Sequence, residues 1–501
     1  MATLDRPAPH RVDVLTWPVI GRFLRWRHAR TAMQAPVLAL AVLAVFDGLF
    51  GPQLAPKNLA TVSVWLEFRG LAVLALLVAG NIFCMACPFM LLRQAARWLR
   101  ERADTQVRPY GGRMVPAPLR GKWLAVGLVA LFFYCYELFD LWASPWLTAW
   151  IIVGYFVVAF AIDAIFRGAA FCKYVCPLGQ FNFFGSLISP LEVRIRHDAT
   201  CAACRTKDCI AGDPARGARG CEMWLFQPAK AGNMDCTFCL DCVHACPYDN
   251  VGLLGRAPTS ELWTDPYRSG IGRFSRRTDL AALVAMFTFG AFVNAFGMIR
   301  PVYDLQDALG RLWGATSQAP GLSLIFVLGL LVLPLSTVAG AAAASRRLSG
   351  RHHAPMAQVA RRYVYALVPM GFGMWLAHYS FHFLSGGLTI VPVVQSFLAD
   401  IGLTAAQPRW DLGALAPAGS LFPIEALLLY LGAFGSIIVA FHIAQRDLGV
   451  AGAGARGAVL GALAPWLVLI VLLLGWGLWI MVQPMEMRGT MLMLSAPGGV
   501  R

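Results

Sequence analysis

The chain has 501 residues, of which 58% are hydrophobic and only 14% charged, and its mean hydropathy is +0.60. A soluble domain is about 25% charged, so much of this surface does not face water, which excludes a soluble enzyme, a disordered chain and a secreted disulfide scaffold. The net charge of +15 comes from Lys and Arg lying between apolar runs, where they set membrane orientation and do not point to nucleic acid.

Residues 1–32 hold Pro7, Pro9 and the arginines Arg6, Arg11, Arg22, Arg25, Arg27 and Arg30, with no apolar core of the kind a cleavable signal needs. They read as a basic cytoplasmic N-terminus. Apolar runs of about 20 residues, enough to span a bilayer, occur near 33–51, 70–91, 123–143, 145–166, 279–298, 322–344, 364–384, 421–442 and 459–482. They predict an all-α polytopic bundle of about nine transmembrane helices. Ser144-Pro145 separates the third and fourth runs and predicts a tight helical hairpin.

Orientation follows from Lys and Arg in the short loops. Residues 92–122 carry eight of them, from Arg93 to Lys122, and 345–362 carry five, whereas the alternate loops are nearly bare. This predicts a cytoplasmic N-terminus and a periplasmic C-terminus in a bacterial inner membrane. Four regions result: 1–32, the basic N-terminus; 33–166, two membrane hairpins; 167–278, a polar cytoplasmic insert; and 279–501, a C-terminal membrane bundle. The insert holds ten of the 13 cysteines. Cytoplasm keeps thiols reduced, so clustered cysteines there point to metal and not to disulfides.

The sharpest motif is Cys236-x2-Cys239-x2-Cys242-x3-Cys246-Pro247. This spacing wraps three thiolates around one iron–sulfur cube and sends the fourth, before proline, to a neighbouring cube. A zinc knuckle is the competing reading, but zinc motifs use two separated pairs. The partner motif is Cys201-x2-Cys204-x4-Cys209 followed by Cys221, with residues 210–220 forming a Gly/Pro-rich loop. Crossed ligation then assigns Cys201, Cys204, Cys209 and Cys246 to one [4Fe-4S] cluster, and Cys236, Cys239, Cys242 and Cys221 to a second. Two more pairs lie at membrane helix ends: Cys84-x2-Cys87-Pro88 and Cys172-x3-Cys176-Pro177. Both follow an out-to-in helix, as in a repeated hairpin, and the four thiols are expected to converge beneath the insert as a metal site or an electron relay. Cys135, alone in its span, reads as a small buried hydrophobe.

This arrangement over residues 33–278 resembles the membrane polyferredoxins of the NapH/NosR/CcoG type. The resemblance implies a two-cluster ferredoxin-like insert, and electron movement between the quinone pool or cytoplasmic donors and redox partners. Cys172 and Cys176 match the family's Cys-x3-Cys-Pro motif; Cys84 and Cys87 are one residue closer. The CcoG-like copper reductases end in a periplasmic domain, whereas residues 279–501 contain further spans, a layout closer to FesM-like proteins.

In the C-terminal half, His378 and His382 lie one turn apart near the outer end of the seventh run, and His442 at the inner end of the eighth. Those depths differ, so a bis-His haem b within the chain is not expected. Glu425 matches the depth of the first two. Ionisable groups within a membrane are functional candidates, so His378, His382 and Glu425, with Asp163 near Cys172, are candidates for quinone or proton exchange. Met485, Met487, Met491 and Met493 read as an interfacial tail, and His352-His353 as a solvated loop. The expected function is electron transfer between a cytoplasmic donor or acceptor protein and membrane quinone. Rival readings are a cupric or other metal-ion reductase and a redox-sensing assembly or regulatory factor.

Overall fold

The computed structural model describes residues 12–103, 113–315, 317–449 and 453–485. Within them eight helices are long and apolar enough to cross a membrane, making this a multi-pass membrane protein. In chain order the elements are α1 (Ala29–Phe50), α2 (Leu59–Ala79), α3 (Ile82–Ala86), α4 (Phe89–Ala103), α5 (Trp123–Leu138), α6 (Pro145–Ile165) and α7 (Pro177–Gly185). After the insert come α8 (Thr278–Phe296), α9 (Ala319–Leu348), α10 (Val368–Gly386), α11 (Ala418–Leu448) and α12 (Ala453–Val482). The third expected span, α5, has 16 residues, about 24 Å at the helical rise. Eight spans by length, with α5 as a shorter apolar helix, replace the expected nine.

The second span departs most from expectation. It runs Leu59–Ala79, not 70–91, and so takes Arg69 inside the helix. The guanidinium is accommodated by rings: it lies 4.6 Å from the centroid of Trp65, 4.4 Å from Tyr136 and 5.2 Å from Tyr379, and donates to Tyr136 Oη at 3.0 Å. Cation–π contacts of this kind are strongest where water is scarce. The predicted hairpin at Ser144-Pro145 is present. Ser144 Oγ accepts from Leu147 N at 3.2 Å, and Pro145 opens α6 where its missing N–H costs nothing.

Packing is graded across the bundle. Of the span-length stretch of α8, 78% is buried inside the protein, against 22% for α1, α6 and α9. Helix α8 is therefore the central post, and the other three face outward. Helices α10 and α11 approach closely through Gly373 and Gly432, where a Cβ on either would come 3.0 Å from the other's Cα. Small residues permit such approach in membranes, where dispersion replaces the hydrophobic effect as the driving force.

The two N-terminal hairpins end alike. Helix α2 stops at Gly80, whose φ of +63° suits glycine; a Cβ there would lie 2.7 Å from the Phe238 ring of the insert. Past α6, Gly168 has φ +78°, and its Cβ would meet Trp224 Nε1 at 2.6 Å. Each break is followed by a short helical turn that carries the first cysteine of a pair and is capped by the second, then proline and another helix. The repeat expected from the Cys-Pro pairs is thus a repeat of backbone path.

The insert is built from short helical turns and one two-stranded antiparallel sheet. Strand β1 (Leu191–Ile195) pairs with β2 (Val251–Gly255), with Leu191 opposite Gly255 and Ile195 opposite Val251. The N-terminal segment packs onto this sheet. Asp13 bridges Leu254, Gly255 N donates to Val12 O at 2.7 Å, and Val14 and Leu15 are buried. Of the methionine tail, Met485 pairs with Ile299, while Met487, Met491 and Met493 lie outside the described residues.

Candidate functional site

The eight insert cysteines sort into two groups. Cys201, Cys204, Cys209 and Cys246 line one small cavity, together with Lys207, Gln227 and Asn250. Cys221, Cys236, Cys239 and Cys242 are all buried and lie close enough to perturb one another electrostatically. Cys221 N donates to Cys209 O at 3.0 Å, tying the groups together. The local chain path brings Cys246 to the first group. Phe238 and Leu240 take left-handed φ values of 54° and 59°, which curl the loop around its own three cysteines, and the turn ending at Ala245 carries Cys246 away to the other group.

Backbone and side-chain N–H groups surround these sulfurs. Asn250 N and Nδ2 donate to Cys246 Sγ at 3.3 Å and to Cys201 Sγ at 3.2 Å, and Leu225 N donates to Cys221 Sγ at 3.5 Å. Such donors stabilise sulfur that carries negative charge and help to set the potential of thiolate-bound clusters. Burial pushes the Cys201 and Cys209 thiols up, and that of Cys221 up to about 12, whereas the Lys207 backbone N–H holds the partly exposed Cys204 below the usual thiol range. A metal loaded here displaces protons from the buried members. Among the described residues no three His, Cys, Asp or Glu groups converge tightly enough for a single ion. A four-iron cube asks for something different, since each thiolate binds its own iron and the four sulfurs stand around the cube. The donor set of each group suits it.

The four remaining paired cysteines also meet. Cys84, Cys87, Cys172 and Cys176 all line one cavity within the membrane region, and Cys84 lies within electrostatic reach of Cys236 of the insert. Asn182 Nδ2 donates to Cys84 Sγ at 3.3 Å, Gly179 N to Cys176 Sγ at 3.2 Å, and Arg93 Nη2 to Cys172 Sγ at 3.1 Å. Asn81, in the break after α2, donates to Cys236 O at 2.6 Å. The unequal spacing of the two motifs therefore does not keep the pairs apart.

A buried ionic group that sequence reading missed joins the two sites. Arg93, at 2% exposure, pairs with Asp163 at 2.8 Å and with Glu222. Arg30 reaches the same Glu222 at 3.3 Å and Asp241 at 3.0 Å. Nearby, Lys122 Nζ binds Asp235 at 2.7 Å and the Lys173 carbonyl at 2.7 Å. The available signal was an acid, Glu222, directly after Cys221 inside a basic loop. Asp163 also accepts from Phe171 N at 3.1 Å, so its place is that of a charged clamp over the second cysteine motif.

The candidates of the C-terminal half are buried, not hydrated. His378, His382 and Glu425 are 0%, 5% and 2% exposed, and the two histidine Nε2 atoms are 2.9 Å apart. His378 Nδ1 and Glu425 Oε1 have no hydrogen-bond partner. His442 is elsewhere, stacked on Trp263 of the insert with centroids 4.8 Å apart. Cys135, in α5, is only partly buried and so less enclosed than the small buried hydrophobe expected.

Fold and site together define a multi-pass membrane protein with a cysteine-rich insert seated on its helical breaks. A segment of 91 residues is 30% identical to YccM of Escherichia coli (strain K12), a protein named as a candidate for electron transport. That segment is 18% of this chain and 23% of the relative, so under a quarter of either is shared. No family model and no solved structure matches the chain.

Proposed function

We propose that this chain is a membrane-bound iron–sulfur electron-transfer protein that passes electrons between a cytoplasmic redox partner and the membrane quinone pool. The observation that carries the reading is the sorting of the eight insert cysteines into two four-thiol groups, the sets expected from crossed ligation. Cys201, Cys204, Cys209 and Cys246 would hold one [4Fe-4S] cluster, and Cys236, Cys239, Cys242 and Cys221 the other. When bound, such a cluster accepts and returns one electron at a time, at a potential set by its surroundings.

The chain's own residues give this site two ends. Cys201 and Cys204 are partly exposed, which marks the face a partner protein approaches. Cys236, Cys239, Cys242 and Cys221 are buried toward the membrane helices, with Asn81 fixing the Cys236 carbonyl. The four paired thiols come next, as a relay or a further metal site, and Arg93 and Asn182 orient two of their sulfurs. Lys and Arg in the loops favour the cytoplasm for the N-terminus and insert, and with α5 crossing as a short ninth span the C-terminus lies in the periplasm of a bacterial inner membrane.

A second reading, a metal-ion reductase, draws on the same four thiols around one cavity, since thiolates are soft ligands suited to Cu(I). One set of measurements separates the two. Anaerobically purified protein should hold about eight irons and as much acid-labile sulfide, give an EPR signal on reduction, and be reoxidised by a short-chain quinone. Zinc at one or two per chain with little iron overturns the proposal, and reoxidation by Cu(II) but not by quinone favours the reductase.

The paired thiols make a further prediction. Cys172→Ser with Cys176→Ser should leave both insert signals in place while abolishing quinone-linked turnover, and Cys84→Ser with Cys87→Ser should do the same. Turnover near the parental rate in both, normalised to iron content, would make these thiols small packed hydrophobes.

A further inference from the structure

The cavity that meets the four paired thiols encloses about 270 Å³ between α1, α2, α5, α6, α7, α8 and α10. Its walls are rich in rings, among them Phe132, Phe133, Phe156, Phe181, Phe287 and Trp375. Flat conjugated molecules are the natural occupants of such walls, because aromatic faces stack in offset or edge-on arrangements. One side is formed by α1 and α6, the most outward-facing helices, so the cavity lies against the lipid side of the bundle.

The lining is not uniformly apolar. Thr237 and Gln180, 3% and 1% exposed, both line the cavity, and neither Thr237 Oγ1 nor Gln180 Oε1 has a hydrogen-bond partner. Tyr155 lines it too, and its hydroxyl is likewise buried without a partner. Gln180 Nε2 donates to the carbonyls of Cys172 and Lys173, which fixes Oε1 as the free end of the amide. Native proteins rarely leave buried polar atoms unmatched, and three around one cavity call for a ligand with matching groups. All three stand beside cysteines. Thr237 stands between Cys236 and Cys239, Tyr155 lies within electrostatic reach of Cys87 and Cys176, and Gln180 follows the second cysteine motif.

We propose that this cavity is the docking site of a quinone headgroup, with Thr237 and Tyr155 donating to its carbonyls and Gln180 Oε1 accepting from the hydroxyl of the reduced form. The assignment rests on the electron-transfer reading for its choice of ligand, but it is a statement about binding. Two hydroxyl donors and one amide acceptor match a ring that carries two carbonyls when oxidised and two hydroxyls when reduced. A saturated acyl chain, the other apolar occupant a bilayer offers, satisfies none of the three. The ring would sit beside all four paired thiols and against the loop holding Cys236 and Cys239.

The test uses the full chain in nanodiscs and a photoreactive azidoquinone. Crosslinks mapped by mass spectrometry should fall on peptides of the cavity wall and be competed by decylquinone but not by phospholipid. Thr237→Val and Tyr155→Phe should each weaken competition about tenfold, the loss of one buried hydrogen bond, with iron content unchanged, and Thr237→Ser should restore it. Ala41→Phe, which adds a ring from the α1 side, should block labelling without touching a polar group. Crosslinks elsewhere, phospholipid competition, or labelling indifferent to all three variants overturns the site. Labelling that behaves as expected while decylquinone leaves reduced iron–sulfur centres unoxidised supports the site and overturns the electron-transfer reading.

Discussion

Replacing Cys246 by Ser is expected to remove the cluster of the other motif, leaving the one held by its immediate neighbours. Cys246 lines the cavity of Cys201, Cys204 and Cys209, so its loss leaves that group with three thiolates, while Cys236, Cys239 and Cys242 keep Cys221. Iron should fall from about eight to about four per chain, and the surviving EPR signal should be that of the buried centre. Cys221→Ser should do the reverse and leave the signal of the partly exposed centre. The paired variants control for general damage, because misfolding would lower both signals together. Loss of the Cys236 group on changing Cys246 would mean uncrossed ligation, each motif serving a cluster of its own.

Arg93→Met should cost about 3–5 kcal/mol of stability, since it strands buried Asp163 and Glu222 with one fewer partner. Removing one member of a buried charge group is far more damaging than never having built it, because the remaining charges stay out of water without compensation. Arg93→Lys should be milder, as an ammonium keeps the charge but not the planar fork that reaches Asp163, Glu222 and Cys172 together. Adding Asp163→Asn and Glu222→Gln to Arg93→Met should recover part of the loss. Thermal denaturation of detergent-solubilised protein at a fixed heating rate measures the series, because membrane proteins of this size seldom unfold reversibly. An Arg93→Met protein that melts with the parent would show that water reaches this group.

What was legible in the sequence was whatever depends on composition over a window or on fixed local spacing. The apolar runs located most of the helices, and the cysteine intervals marked out the motifs, because spacing is a local property. The second span was misplaced because Glu67 and Arg69 read as an end to the membrane. The acceptability of Arg69 depends on Trp65, Tyr136 and Tyr379, two of which are distant in sequence. The same limit hid the Arg30, Arg93, Glu222 and Asp241 group, whose members are drawn from α1, α4 and the insert. The N-terminal segment left a small trace. Val14 and Leu15 are an apolar pair in a basic stretch, and they are buried against the insert.

The two glycine breaks bear on how the molecule is put together. Phe238 stands between Cys236 and Cys239, and Trp224 lies three residues past Cys221, so the rings seated on Gly80 and Gly168 belong to the loops that present these thiols. Those seats exist only after α2 and α6 have been inserted and turned. Residues 167–278 made alone would lack Gly80 and the helix α6 that presents Gly168, and would also lack Val12–Leu15 along the edge of the sheet. The insert is consequently not a portable module, and loading of the proposed clusters would belong at the end of biogenesis, after the lipid-embedded part has taken shape.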